Sequence, residues 1–417
     1  MSFNNSSMNF LRRDFLKISG LSGAALAVAP NFAFAADPTA ARNTDTLVVI
    51  FQRGAMDGLN AVVPYTESEY YAQRRTIAVP KPGAATGAAI DLNGKFALNP
   101  ALAPLKPIWD QGMLSVVHAV GLTTPSRSHF DAQDFMERAW FEKGQVFSGW
   151  LNRHLESTEK TSDVTFRALS LGKSVPKSMG GQAAVVGLNT IDSFGLNSSD
   201  ARKVDLGNTL EATFSGTGFL DSTGNRTFAA VDELVGKNPS AIAVENSAVY
   251  PNTSFGNQMK DLAKLIKSGI GVEVATCDLG GWDTHNNQTT ELTALLDELA
   301  KTMAAFNTDL GARMKSVTVI TMTEFGRRVL ENGSGGTDHG RGSCMFAMGG
   351  GVIGKQVFGA WPGLAANQLE GGDLRVTTDY RAVLAEALAK RCGNASKLAE
   401  VFPGFLGQAT SGLFVAR

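Results

Sequence analysis

The chain is poor in several things, and each shortage closes off a class of protein. Its three cysteines, Cys277, Cys344 and Cys392, are odd in number and widely spaced, and they offer no zinc-ribbon spacing. Cys277 and Cys344 stand in apolar runs and read as buried thiols. Charge excess is missing too: 38 Lys and Arg against 39 Asp and Glu leave a net −1, with no electrostatic grip on nucleic acid or an acidic membrane surface. No apolar run is long enough to anchor the mature chain in a membrane. Internal repeats and low-complexity tracts are absent. What is there is 43% hydrophobic residues and 45 glycines among 417, an ordinary globular composition with length for one large α/β domain or two smaller ones.

Residues 1–35 read as an address rather than as part of the fold. Arg12-Arg13 followed by Phe15-Leu16, a mild apolar stretch at 18–28 and Ala33-Phe34-Ala35 fall in the order of a twin-arginine export signal with an A-x-A cleavage site. The apolar stretch is too short for a spanning helix. The expectation is a mature protein from about Ala36, in a bacterial periplasm or secreted, with the twin-arginine (Tat) translocase as its export partner. That route carries proteins already folded, which suits a chain loaded with metal before export.

Continuous apolar runs at 46–51, 114–121, 271–277, 316–323 and 344–348 mark strands buried on both faces. Helical spacing occupies 96–112, 130–143, 255–267, 288 to about 313, and 380–390. The alternation predicts an α/β fold with a mainly parallel central sheet and helices on both faces. Residues from about 160 to 250 are less regular. They hold two short strand-like runs, 166–171 and 183–187, and read as an irregular insertion over the sheet within a single domain at 36–417.

The residues able to do chemistry gather where strands end, the place such folds reserve for it. Gly280-Gly281-Trp282-Asp283-Thr284-His285 leaves one strand and precedes a helix. In extended backbone residues i and i+2 point the same way, so Asp283 and His285 can face one ion. Alternatively Asp283 or Thr284 caps the helix. Asp57 follows the first strand, where Asp57-Gly58 is also a common turn pair. After the second strand, the segment Thr123-Thr124-Pro125-Ser126-Arg127-Ser128-His129 opens a helix. Its hydroxyls read either as caps or as a nucleophile at a helix N-terminus, with Arg127 as a bidentate grip on an oxyanion. Glu324 ends a later strand, and Asp338-His339 sit among glycines beyond it. His118 and His154 read as structural. Oxygen and imidazole donors without cysteine suit zinc, manganese or magnesium, and two ions together would clamp a phosphoryl or sulfuryl oxygen.

The order of these residues resembles the alkaline phosphatase superfamily. There an acid follows the first strand, a nucleophile opens a helix after the second, a D-x-x-x-H pair follows a later strand, an Asp-His ends the next, and a last His comes from a Gly-rich loop. On that resemblance Asp57 is the first acid, the 123–128 loop holds the nucleophile, Asp283 and His285 are the acid–imidazole pair, Glu324 ends the next strand and His339 is the last imidazole. Thr123-Thr124-Pro125-Ser126-Arg127 is also similar to the sulfatase C-x-P-S-R signature, with Thr123 where those enzymes carry a modified cysteine. Two departures stand out: the pair is D-x-H here, and Glu324-Phe325 replaces Asp-His, unless Asp338-His339 is that pair displaced. RGAMDGLN (53–60), SRSHFDAQD (126–134), GGWDTH (280–285) and TEFGRRVLENGSGGTDHGRG (323–342) resemble, more closely, an uncharacterised family of twin-arginine-exported bacterial proteins within that superfamily. The resemblance implies an alkaline phosphatase-like fold and one or two divalent ions, zinc or else manganese or magnesium. The metal would be held by residues from Asp57, Asp283, His285, Glu324, Asp338 and His339, with Thr123, Arg127, Ser128 and His129 as the catalytic set. It further implies a hydrolase of phosphate or sulfate esters, small or polymeric. The alternative is a non-catalytic exported protein that keeps the fold for binding or surface assembly.

Overall fold

The computed structural model describes residues 26–27, 45–158, 166–192, 214, 216, 218–405, 407 and 412–417. Apart from residues 26–27, the export signal read at 1–35 lies outside them. The strands, in chain order, are β1 (Leu26–Ala27), β2 (Thr46–Arg53), β3 (Val62–Val63), β4 (Ile90–Asp91), β5 (Ala97–Leu98), β6 (Leu114–Gly121), β7 (Ala168–Leu171), β8 (Val185–Leu188), β9 (Val274–Gly280), β10 (Val317–Met322), β11 (Arg327–Glu331), β12 (Thr337–His339), β13 (Ser343–Gly349), β14 (Val357–Phe358) and β15 (Thr378–Asp379). The helices that frame the site and its cores are α1 (Gly58–Ala61), α2 (His129–Arg138), α3 (Trp150–Ser157), α4 (Ser254–Lys267), α5 (Gln288–Leu310) and α6 (Tyr380–Arg391).

One large sheet has the order β1-β8-β7-β9-β2-β10-β13-β6-β14, with β15 also on β6. Its centre, from β8 to β10, is parallel throughout. β13 runs antiparallel to both β10 and β6. The cause lies in the connection: between Met322 and Ser343 the chain makes the β11–β12 hairpin instead of a crossover helix, so it re-enters pointing back. Residues 168–171 and 185–188, expected within an irregular insertion, are instead strands of this sheet. Leu26–Ala27 pair antiparallel with Val185 and Val186, so two residues of the signal stretch, expected to stay outside the fold, add to the sheet's edge.

The sheet is covered on both faces because its central strands carry apolar side chains on both. Val48 and Ile50 of β2 join a core with Met259 and Leu262 of α4 and Leu292, Leu296 and Leu299 of α5. Leu47, Val49 and Phe51 point the other way, to Phe135 and Met136 of α2, Trp150 and Leu155 of α3, and Val383 and Leu384 of α6. Each such side chain contributes about 1.5–3 kcal/mol on burial. A one-residue slip of β2 would exchange the two faces and carry Arg53 away from α2, so this packing also fixes the register of the strand ends. β9, β2, β10 and β6 all end at one edge of the sheet. The loops after them, and the hairpin β11–β12, meet there.

Candidate metal centre

Local geometry delivers the key loop with little freedom. Gly54, just past β2, has φ +120°, and a Cβ there would stand 2.7 Å from the Asp283 nitrogen and 2.9 Å from that of Trp282. On the other side, a Cβ on Gly336 would run into the backbone of Thr284 and His285. The 282–285 segment is thus pinned between the β2 loop and the hairpin. Fully buried Trp282 anchors it, its indole N–H donating to the Leu279 carbonyl at 2.8 Å. His129 is the first residue of α2, whose Ser128 cap accepts from the Asp131 N–H at 3.4 Å. His339 ends β12 and pairs across the hairpin with Arg327.

Three of the five histidines of the chain come together here. His339 Nε2 lies 3.1 Å from His129 Nε2, 2.9 Å from His285 Nε2 and 3.0 Å from Asp283 Oδ1. His285 Nε2 is 3.1 Å from Asp283 Oδ1, and His129 Nε2 is 3.4 Å from Asp283 Oδ2. His129, Asp283 and His339 form a compact group with ligand atoms within 4.8 Å of one another, and it is the one such group among the described residues. His285 flanks it.

The outward nitrogens decide the protonation. His129 Nδ1 lies 2.8 Å from Glu324 Oε1 and His339 Nδ1 lies 2.9 Å from the Arg127 carbonyl. Both partners can only accept, so each Nδ1 carries the hydrogen and each Nε2 presents a lone pair. His285 Nδ1 faces Asp338 Oδ1 at 3.4 Å in the same sense. Bare imidazole nitrogens 2.9–3.1 Å apart repel one another, and Asp283 adds a negative charge. A cation resolves the conflict. Tetrahedral zinc with Zn–N near 2.0–2.1 Å places its donor atoms about 3.3 Å apart, close to the spacing seen. The carboxylate–imidazole pairing at His129 is the usual support of a metal-bound histidine.

The surrounding electrostatics keep the carboxylates ionised. Burial opposes ionisation of Asp283, but the adjacent His339 imidazole and the hydrogen bond and charge of Arg327 bring its pKa down to about 2. Glu324 is fully buried. Burial again opposes its charge, and donors from His129, Gln133 and the Gly54 N–H outweigh it, so its pKa falls below the ordinary value. The hydrogen bond to Glu324, strengthened by the charges of Glu324 and Asp283, in turn raises His129. Arg327 is fully buried and donates to Asp283 Oδ1 at 2.7 Å and to the carbonyls of Gly54, Ala55, Trp282 and Thr337, tying three loops together.

Of the residues expected at the site, Asp283, His285 and His339 converge as their spacing suggests, and His129 joins them as a fourth converging group. Glu324 supports His129 from behind. Asp338 is exposed and reaches only His285 and Asn332, whose amide hydrogen bond holds it below the ordinary carboxyl range. Asp57 requires correction. It caps α1, and its two oxygens take five donors: Leu59 N, Asn60 N, both terminal nitrogens of buried Arg74, and Gln288 Nε2. Two carboxylate oxygens offer about four acceptor sites, so Asp57 has none left for an ion. The expected nucleophiles fare no better. Ser128 is a cap, and exposed Thr123 is held only through its carbonyl, by Arg341 at 2.9 Å. Neither hydroxyl bonds to the converging side chains. Arg127 pairs with buried Asp373 at 2.5 Å and supports His339 through its carbonyl.

Several participants escape a reading of the sequence. Gln133 links Glu324 to Arg53, which pairs with Glu137 and Asp278. The signal was there in part: His129, Gln133 and Glu137 are spaced i, i+4, i+8 and share a helix face. Arg327 and Gln288 carried no signal that distinguishes them from surface polar residues.

The fold and site define an α/β protein with a histidine–aspartate metal-type centre at the carboxyl edge of its sheet. The chain belongs to the family described as "Protein of unknown function (DUF1501)", whose model matches residues 123–387 and so spans all four converging side chains. No curated protein matches it. Among solved structures it is similar to the C-terminal periplasmic domain of EcEptC from Escherichia coli in complex with Zn, at 10% identity over 74% of this chain and 73% of that one, TM-score 0.33. It is also similar to the lipoteichoic acid synthase LtaP from Listeria monocytogenes, at 8% identity over 81% and 75%, TM-score 0.34. A third is alkaline phosphatase from the Antarctic bacterium TAB5, at 10% identity over 74% and 92%, TM-score 0.29. These likenesses are coarse, and the functional reading rests on the site itself.

Proposed function

We propose that the protein is an exported, metal-dependent hydrolase of phosphate or sulfate esters. One observation carries the reading: two imidazole Nε2 lone pairs and an ionised carboxylate meet at a point, with each imidazole's other nitrogen tied to an acceptor. The nitrogen-rich donor set favours zinc over manganese or magnesium. A divalent ion there would supply Lewis-acid polarisation of a phosphoryl or sulfuryl oxygen and would acidify water.

The chain's own groups divide the remaining work. His129, Asp283 and His339 would hold the ion, and a set of three protein donors would leave room for substrate, as in catalytic zinc sites. Glu324 fixes the tautomer and orientation of His129. His285, with its side chain 42% exposed and its Nε2 turned toward the group, is placed to accept or deliver a proton. Arg127, anchored by Asp373 and half exposed, offers its guanidinium to an ester oxyanion. With Ser128 engaged as a cap and Thr123 outside the group, water rather than a side-chain hydroxyl is the attacking species. Arg12-Arg13 and the A-x-A site support export through the twin-arginine translocase to the periplasm or beyond.

The test is a panel of phosphate monoesters, phosphate diesters and sulfate esters offered to zinc-loaded protein, beside His339→Ala. Turnover of one class, reduced to background in the variant, is expected. Bound zinc without turnover of any ester would instead favour a binding protein.

A further inference from the structure

Behind the converging group lies Gln288, the first residue of α5, a polar side chain with no solvent exposure. Its amide spans three segments. Oε1 accepts from Thr284 Oγ1 at 3.2 Å and from Thr337 Oγ1 at 2.6 Å, while Nε2 donates to Asp57 Oδ2 at 2.6 Å. Thr284 lies between Asp283 and His285, and Thr337 is two residues before His339. One amide oxygen therefore joins the two segments that deliver the converging groups. Their backbones meet at the same place, with the Thr337 N–H donating to the Thr284 carbonyl at 3.3 Å and the Gln288 N–H to that of Gly335 at 3.0 Å.

The far end of the amide is fixed just as firmly. Asp57 is held by both terminal nitrogens of Arg74, and the two side chains are essentially without exposure. Arg74 also donates to Asn60 Oδ1 and to the carbonyls of Val329 and Arg328, on the strand that leads into the hairpin. Every polar atom in this chain of contacts is satisfied, which in a buried setting makes it rigid. We infer that Gln288, anchored by the Asp57–Arg74 ion pair, is a positioning residue that sets the distance of His339 from Asp283 and His285. The inference rests on the metal reading above. It gives Asp57, which an ion cannot reach, a mechanical part in the same centre.

Replacing Asp57 or Arg74 would strand a buried charge and endanger the fold, so the test falls on Gln288 and Thr337. Gln288→Met keeps the volume and removes the bonds. Thr337→Val removes one hydroxyl at constant shape, and Thr337→Ser restores it. Zinc affinity by chelator competition, the visible spectrum of bound Co2+ and the melting temperature of the metal-free protein are measured for each. Gln288→Met and Thr337→Val are expected to bind zinc about 10–100-fold more weakly, the usual cost of losing an outer partner, and to shift the Co2+ bands. Thr337→Ser should retain both properties. Wild-type affinity and spectrum in Gln288→Met and Thr337→Val, with only the melting temperature lowered, would overturn the positioning role and leave the metal reading standing. If Gln288→Met does not fold, Thr337→Val against Thr337→Ser decides alone. A wild-type protein that binds neither ion overturns the metal reading and the positioning role with it.

Discussion

Glu324→Gln isolates the electrostatic support of the centre from its architecture. Glu324 Oε1 accepts from His129 Nδ1 at 2.8 Å, Gln133 Nε2 at 2.8 Å and the Gly54 N–H at 2.9 Å. Glutamine keeps a side-chain oxygen facing these donors. Its new NH2 would face the Thr323 hydroxyl oxygen, which lies 3.2 Å from Oε2 and can accept because its hydrogen is directed at the Gln52 carbonyl. Shape and the hydrogen bond to His129 persist, and the main loss is the charge behind His129. Outer carboxylates of this kind change metal affinity by about 10–100-fold, or about 1–3 kcal/mol. The assay is zinc competition against a chromophoric chelator at fixed pH. Glu324→Ala gives the contrast, since it empties a buried site and leaves three donors without an acceptor, costing about 1–3 kcal/mol for each buried group left unpaired. Its melting temperature should therefore fall well below that of Glu324→Gln. Zinc affinity in Glu324→Gln equal to wild type would refute the role of His129 as a ligand tuned by Glu324.

Three further outcomes are expected. Ester turnover should survive Thr123→Ala and Ser128→Ala, the latter losing only its cap, about 1 kcal/mol of stability; loss of turnover in either would reinstate a covalent nucleophile. His118 is buried, accepts from the Ala119 N–H and donates to the Val62 carbonyl, and burial lowers its pKa to about 4; His154, buried and near Arg167, falls to about 3. Below the ordinary value of 6.5 the unfolded chain binds protons that the folded chain refuses, so stability should drop as pH falls, by roughly 3 kcal/mol for His118 alone between pH 6.5 and 4. Urea midpoints at pH 5 and 7.5 measure this, and an unchanged pH slope in His118→Gln would contradict it. Replacing both Arg12 and Arg13 with Lys should stop periplasmic accumulation in cell fractionation, and unimpaired export would remove the twin-arginine assignment.

The sheet was legible because strands buried on both faces leave mostly apolar runs: residues 46–51, 114–121, 271–277, 316–323 and 344–348 all fall on strands or directly at their ends. Asp283 and His285 were legible through their i, i+2 spacing. Other features were set by contacts distant in sequence. Nothing near Asp57 announces that Arg74, 17 residues on, will neutralise it. Ser128 and His129 share one helix start, and only the fold shows that the serine caps it while the imidazole turns to Asp283 and His339. The reversal of β13 follows from a hairpin whose glycines read equally well as a loop. The short runs at 166–171 and 183–187 were legible as strands, but at four residues each nothing in them told that they join the main sheet beside Val274–Gly280 rather than lie over it.

The central claim is that these imidazoles and Asp283 hold a divalent ion. Elemental analysis of the mature protein, purified without chelators, tests it most directly, with a His129→Ala, His339→Ala double variant prepared in parallel. The account predicts close to one equivalent of zinc or another divalent metal in the wild type and none in the double variant. A metal-free wild type, or full metal retention in the double variant, would contradict it.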